Sequence, residues 1–130
     1  MVFVDTGAWF ARYVPGDPQH LRVKAWLDAN TEPLLTTDYC VAETLTLLVA
    51  RRRLPRAIEA GRALMEESVA QLHFLRPDEI RRAWILFRDR AADGWSFTDC
   101  TSKIVIAALG IKRAVALDSH FRQFGIVVVP

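Results

Sequence analysis

Val2-Phe3-Val4-Asp5-Thr6-Gly7-Ala8 opens the chain, and the reading of this stretch decides the fold. Three consecutive apolar residues suit a strand buried on both faces, where no polar alternation is needed. Thr6 to Tyr13 then takes a helical pattern, which stops at Pro15-Gly16-Asp17-Pro18. A strand running straight into a helix is the start of a β–α unit, and Asp5 falls at the join.

The same alternation continues outward. Gln19 to Ala29 reads as a second helix, with Leu21, Ala25, Trp26 and Ala29 along one face. Pro33 to Thr36 offers a second strand. Asp38 is placed to cap a long helix reaching about Arg53, and Pro55 suits the first turn of the next. Gln71 to Leu75 reads as a third strand. Pro77-Asp78-Glu79 opens a helix to about Ala92, with Ile80, Trp84 and Phe87 expected inward. After a break at Asp93-Gly94-Trp95, Thr98 to Leu109 is helical and Gly110 ends it. Ala114 to Leu117 gives a fourth strand, Ser119 to Gln123 one helical turn, and Ile126 to Val129 a fifth strand. Strands alternating with helices imply an α/β domain with a mostly parallel sheet. No linker, repeat or low-complexity stretch interrupts the pattern, so residues 1–130 read as one domain.

Bulk properties narrow the function. Hydrophobic residues make up 52% of the chain, an apolar surplus that on a small domain favours a homodimer or a bound partner. Lys and Arg number 17 against 15 Asp and Glu, a net charge of +2. That excludes nucleic-acid binding driven by bulk charge alone. Yet the basic side is nearly all Arg, which suits bidentate phosphate contacts; Lys24, Lys103 and Lys112 are the only lysines. Cys40 and Cys100 lack zinc-ligand spacing, as do the scattered His20, His73 and His120. There is no Gly-rich dinucleotide motif and no P-loop. The N-terminus shows no signal-peptide pattern, and no apolar run reaches the roughly 18 residues of a membrane span. A cytoplasmic protein with no membrane association is expected.

The acidic residues are the informative ones. In open parallel sheets, ligands bind beyond the carboxyl ends of the strands. Asp5 ends the first strand and Asp118 the fourth, although either could serve only to cap the helix that follows. Glu43 is the only charged residue between Asp38 and Arg51. On so apolar a helix its carboxylate is expected to point inward, where it needs a metal or an Arg partner. Asp99 fits a capping box, Ser96-Phe97-Thr98-Asp99, and equally an anion-favouring helix start. Asp93, one turn upstream, is a possible outlying member. Four carboxylates in one crevice repel each other unless a cation neutralises them. Oxygen-only donors point to Mg²⁺ or Mn²⁺, whose chemistry on a phosphoryl group is phosphodiester hydrolysis.

Taken in order, these residues have a known look. Asp5-Thr6 after a strand, a helical Glu43, Trp95-Ser96-Phe97-Thr98-Asp99-Cys100, and Leu117-Asp118-Ser119-His120-Phe121 resemble PIN-domain ribonucleases, above all the VapC-type toxins of toxin–antitoxin pairs. The resemblance covers nearly the whole chain. It implies a PIN-like three-layer α/β sandwich with a five-stranded sheet. It also implies an acidic quartet of Asp5, Glu43, Asp99 and Asp118, with Asp5 and Asp99 the main metal ligands. Thr6 and Ser96 would line the site. A homodimer, an RNA substrate and an antitoxin covering the groove follow from the same resemblance. The sequence departs from the family pattern at Ser102-Lys103, where Lys103 could salt-bridge Asp99 or reach a phosphate. RNA maturation without an antitoxin, or non-catalytic RNA binding on the same fold, are the alternatives within it. Asp5-Thr6-Gly7 also matches the motif of dimeric aspartic proteases, but those are nearly all strand and this pattern is mostly helical.

Overall fold

A computed structural model describes all of residues 1–130. The elements follow the expected order. Strand β1 spans Val2–Val4, helix α1 Thr6–Tyr13, α2 His20–Ala29, β2 Leu34–Thr37, α3 Asp38–Ala50 and α4 Leu54–Met65. Then come β3 at Gln71–His73, α5 at Pro77–Arg90, a 3₁₀ turn at Ala91–Asp93, and α6 at Phe97–Leu109. The chain ends with β4 at Arg113–Val115, a 3₁₀ segment at Ser119–Phe124, and β5 at Val127–Val129.

The five strands form one sheet in the order β3-β2-β1-β4-β5, and every neighbouring pair is parallel. Parallel pairing requires crossovers, and the helices supply them on both faces. Strand β1 shows why its residues are all apolar. Val2 and Val4 enter a core that includes Trp9, Tyr13, Val23, Leu48 and Leu64, whereas Phe3 enters a second core with Cys100, Ile106, Phe121 and Phe124. Successive side chains leave a strand on opposite faces, so one buried strand serves two cores. This is the expected three-layer sandwich, and its mostly helical content removes the aspartic-protease reading of Asp5-Thr6-Gly7.

Sequence order runs outward from β1 through β2 to β3, and on the other side from β4 to β5. The direction therefore switches between β1 and β4, which opens a crevice beyond their carboxyl ends.

Several local expectations are corrected. Helix α2 buries His20 and Val23, with Leu27 half-buried behind them, and Leu21 is 80% exposed. The buried stripe thus runs one residue off the expected face, fixed by the His20 Nδ1 contact to the Ala11 carbonyl at 2.7 Å. Helix α5 turns Glu79 and Ala83 inward, and Trp84 sits at the flank, 52% exposed and stacked on half-buried Phe87. Small Ala83 is what lets α5 approach α6. The cap of α3 is Thr37, whose hydroxyl accepts the Cys40 N–H at 3.1 Å. Asp38 instead accepts the Leu75 N–H at 3.0 Å, tying the chain after β3 to α3. The aromatic pair of α1 is core: Trp9 and Tyr13 are buried, and the indole N–H of Trp9 donates to Thr36 Oγ1 at 3.0 Å.

Candidate metal and active site

Asp5 stands at the mouth of the crevice. It is the residue before α1, yet its side chain makes no capping hydrogen bond. Its carboxyl group is therefore not spent on the helix, although it is buried to 4% exposure. Burial first, and then the negative charges of Asp99, Glu43 and Asp118, push its pKa up to about 7. Those three neighbours are the other members of the expected quartet, so the fold brings them all within electrostatic reach of Asp5.

They do not have equal surroundings. Asp99 lies in the first turn of α6, 5% exposed. It completes a capping box: its Oδ2 accepts the Ser96 N–H at 2.9 Å, while the Ser96 hydroxyl accepts the Asp99 N–H at 3.0 Å. Asp118 follows β4 and starts the 3₁₀ segment, where its Oδ1 accepts the His120 N–H at 2.9 Å. Both capping readings hold, and both residues face the crevice as well. Glu43 contradicts its expectation. It is exposed, because the buried stripe of α3 runs through Cys40, Val41, Thr44 and Leu48 and leaves Glu43 on the rim. It needs no buried Arg partner.

The supporting residues divide. Thr6 is buried with its Oγ1 unpartnered, a polar atom left beside Asp5. Ser96 serves the cap just described. Asp93 is exposed, pairs with Arg90 at 3.4 Å, and is not among the charges acting on Asp5. Lys103 does not reach Asp99; its ammonium donates to the Phe124 carbonyl at 2.9 Å.

Three residues of the site escaped the sequence reading. Cys40 Sγ lies 3.8 Å from Asp5 Oδ1 and 3.6 Å from Ser102 Oγ, so Cys40 and Ser102 form its buried floor. Burial, and then the Asp5 charge, push the Cys40 thiol up to about 12, which leaves it an inert thiol. His120 is the third, and it corrects the view of scattered histidines. It joins Asp99 and Asp118 in a group whose ligand atoms all lie within 4.8 Å of one another. The available signal was its place two residues after Asp118.

The donor set is carboxylate oxygen with one imidazole nearby. A carboxyl group pushed up to about 7 by burial and then by its acidic neighbours, and an unpartnered hydroxyl, are what a hard divalent cation with bound water would satisfy. The arrangement fits such an ion.

A family model described as PIN domain matches residues 2–127. The chain belongs to the PIN-domain family. Within that family it is 33% identical over 129 residues to the 23S rRNA-specific endonuclease VapC20 of Mycobacterium tuberculosis, covering 99% of this chain and 98% of the relative. The crystal structure of M. tuberculosis VapC20, described as a sarcin–ricin loop cleaving toxin, superposes with a TM-score of 0.92 at 30% identity over 100% of both chains. FitAcB from Neisseria gonorrhoeae shares the PIN fold at 16% identity, with a TM-score of 0.67 and coverage of 100% and 97%. The expected assignment of this PIN-domain chain to the VapC-type ribonucleases of toxin–antitoxin pairs is borne out.

Proposed function

We propose that this PIN-domain protein is an RNA endonuclease that hydrolyses a phosphodiester bond over the crevice between β1 and β4. Asp5, Glu43, Asp99 and Asp118 would hold Mg²⁺ or Mn²⁺. The observation that carries the reading is the convergence of Asp99, Glu43 and Asp118 on buried Asp5, whose pKa burial and then those charges raise to about 7, a burden that a bound cation would relieve. Buried Asp5 and Asp99 would be the main ligands. Glu43 and Asp118, more open to solvent, would hold a second ion or orient the attacking water. The bound ion would supply Lewis acidity at the phosphoryl oxygen and a more acidic water. Cleavage would leave 5′-phosphate and 3′-hydroxyl ends.

The substrate follows from the relative. VapC20 is a 23S rRNA-specific, sarcin–ricin loop cleaving enzyme, and identity to it runs the length of this chain. A structured ribosomal RNA loop is therefore the substrate we assign. The toxin type implies an antitoxin, cytoplasmic residence with its RNA target, and a homodimer. The surface offers apolar area for protein partners: Leu54, Ile58 and Met65 are exposed along α4, as is Trp84 on α5. No helix is long and apolar enough to cross a membrane.

The test is cleavage of purified ribosomes and of a mixed RNA pool by wild type and Asp99→Asn, each with Mg²⁺, Mn²⁺ or EDTA. Cutting at one ribosomal RNA site, lost in EDTA and in the variant, is expected. Cutting that persists in EDTA would remove the metal, and cutting scattered over the pool would remove the ribosomal loop.

A further inference from the structure

Resting on the metal reading above, we propose that His120 is a positioning residue of this site: its imidazole ties Asp99 to Asp118, so that the two acids turn their remaining oxygens towards one ion. Nδ1 of His120 lies 3.1 Å from Asp99 Oδ2 and 3.0 Å from Asp118 Oδ1. An ionised carboxylate only accepts hydrogen bonds, so Nδ1 carries the hydrogen and donates it to Asp99 Oδ2, with Asp118 Oδ1 in ion-pair contact beside it. The two acids come from different parts of the fold, the first turn of α6 and the chain beyond β4. One ring nitrogen bridges them.

The bridge sorts the carboxylate oxygens. Asp99 Oδ2 takes the Ser96 N–H and the ring N–H; Asp118 Oδ1 takes the His120 backbone N–H and lies 3.0 Å from the ring nitrogen. Asp99 Oδ1 and Asp118 Oδ2 receive no protein donor and stay available to a cation. Ligating carboxylates are commonly oriented by such hydrogen bonds.

The ring is itself held. It stacks on Trp95 with centroids 6.0 Å apart and planes 27° from parallel. Trp95 is buried, packs on Phe124 at 4.9 Å, and lies 5.2 Å beneath the Arg90 guanidinium. An imidazole clamped in this way fixes what it touches. The two acids depend on it unequally. Asp99 is anchored by its capping box without His120. Asp118 has a side chain 37% exposed on irregular backbone, and its other anchor is the His120 N–H alone. His120 therefore holds Asp99 by its ring hydrogen bond, and Asp118 by its backbone N–H and the close contact of its ring.

The experiment is a Mn²⁺ titration of the full chain, followed by electron paramagnetic resonance, on wild type, His120→Ala, His120→Asn, His120→Gln, Asp118→Asn and His120→Ala with Asp118→Asn. Removing a hydrogen bond to a ligating group costs about 10- to 100-fold in metal affinity. His120→Ala is expected to weaken Mn²⁺ by that factor. His120→Asn, whose amide nitrogen takes roughly the place of Nδ1, should restore most of it, and His120→Gln, whose amide reaches past that point, should not. Adding His120→Ala to Asp118→Asn should weaken Mn²⁺ further, because the ring hydrogen bond to Asp99 is lost as well. The Asn and Gln variants carry the comparison if the Ala variant does not fold. Wild-type affinity in His120→Ala, or equal affinity in the Asn and Gln variants, overturns the positioning role and leaves the metal reading standing. A ¹⁴N coupling to bound Mn²⁺ in the wild-type echo-modulation spectrum also overturns it, since the ring would then sit on the ion. Wild type that binds no Mn²⁺ overturns the metal reading, and this inference with it.

Discussion

Replacing Asp5 by Asn should make the metal-free protein more stable at pH 8 and leave it little changed at pH 5. Unfolded, Asp5 releases its proton near its ordinary 3.8; folded, burial and then the charges of Asp99, Glu43 and Asp118 delay release to about 7. Between those values the folded chain holds a proton that the unfolded chain lacks. Its stability therefore falls as pH rises through that window, and the whole penalty stands above pH 7. A rise of about three pH units at 1.36 kcal/mol each gives roughly 4 kcal/mol. The buried Asn amide has its own hydrogen-bonding cost of about 1–2 kcal/mol, so about 2–3 kcal/mol should remain. At roughly 4 °C per kcal/mol for a domain of this size, the variant should melt about 10 °C above wild type at pH 8. At pH 5 the wild-type penalty has shrunk to about 1.6 kcal/mol, which the amide cost cancels. Melting curves followed by circular dichroism in EDTA, from pH 5 to 8.5, read this directly. A difference that stays constant across that range, or a variant that melts below wild type at pH 8, would refute the claim that burial and the neighbouring acids hold Asp5 well above its ordinary pKa.

Three further outcomes belong with it. Millimolar Mn²⁺ or Mg²⁺ should raise the melting temperature of wild type at pH 7.5 and hardly that of Asp5→Asn, because only an ion bound to the folded state stabilises it; equal shifts in both would place the ion elsewhere. Asp99→Asn should change metal-free stability by less than about 1 kcal/mol in urea unfolding, because its amide oxygen keeps the Ser96 N–H of the α6 capping box and only the charge at the helix N-terminus is lost. Glu43→Gln, on an exposed rim position, should unfold within about 0.5 kcal/mol of wild type yet cleave RNA at least roughly tenfold more slowly; undiminished cleavage would remove Glu43 from the site.

The order of elements was legible in the sequence because each boundary carries its own chemistry: apolar runs for β1 and β5, Pro77 and Asp78 at the start of α5, Gly110 at the end of α6. Where a helix faces was less legible. Helix α2 rolled by one residue, since the His20 contact to Ala11 joins groups from separate elements and leaves no local periodicity. Glu43 shows the same limit. Apolar neighbours in sequence imply burial only if the helix is buried all round, and α3 is buried on one stripe. The acids at strand ends were readable because parallel sheets place ligands there. His120 was not, since its role arises where the chain after β4 meets the start of α6.

The strand order also bears on how the protein is made. β1 lies at the centre of the sheet, and its partner on one side, β4, comes more than a hundred residues later, with Phe3 paired to Ala114. The crevice between them cannot close, nor can Asp118 join Asp5, until residues 113–118 have been added. A nascent polypeptide still being extended carries Asp5 and Glu43 but no assembled centre. A nuclease with this strand order thus has no assembled centre until both halves of it have been synthesised.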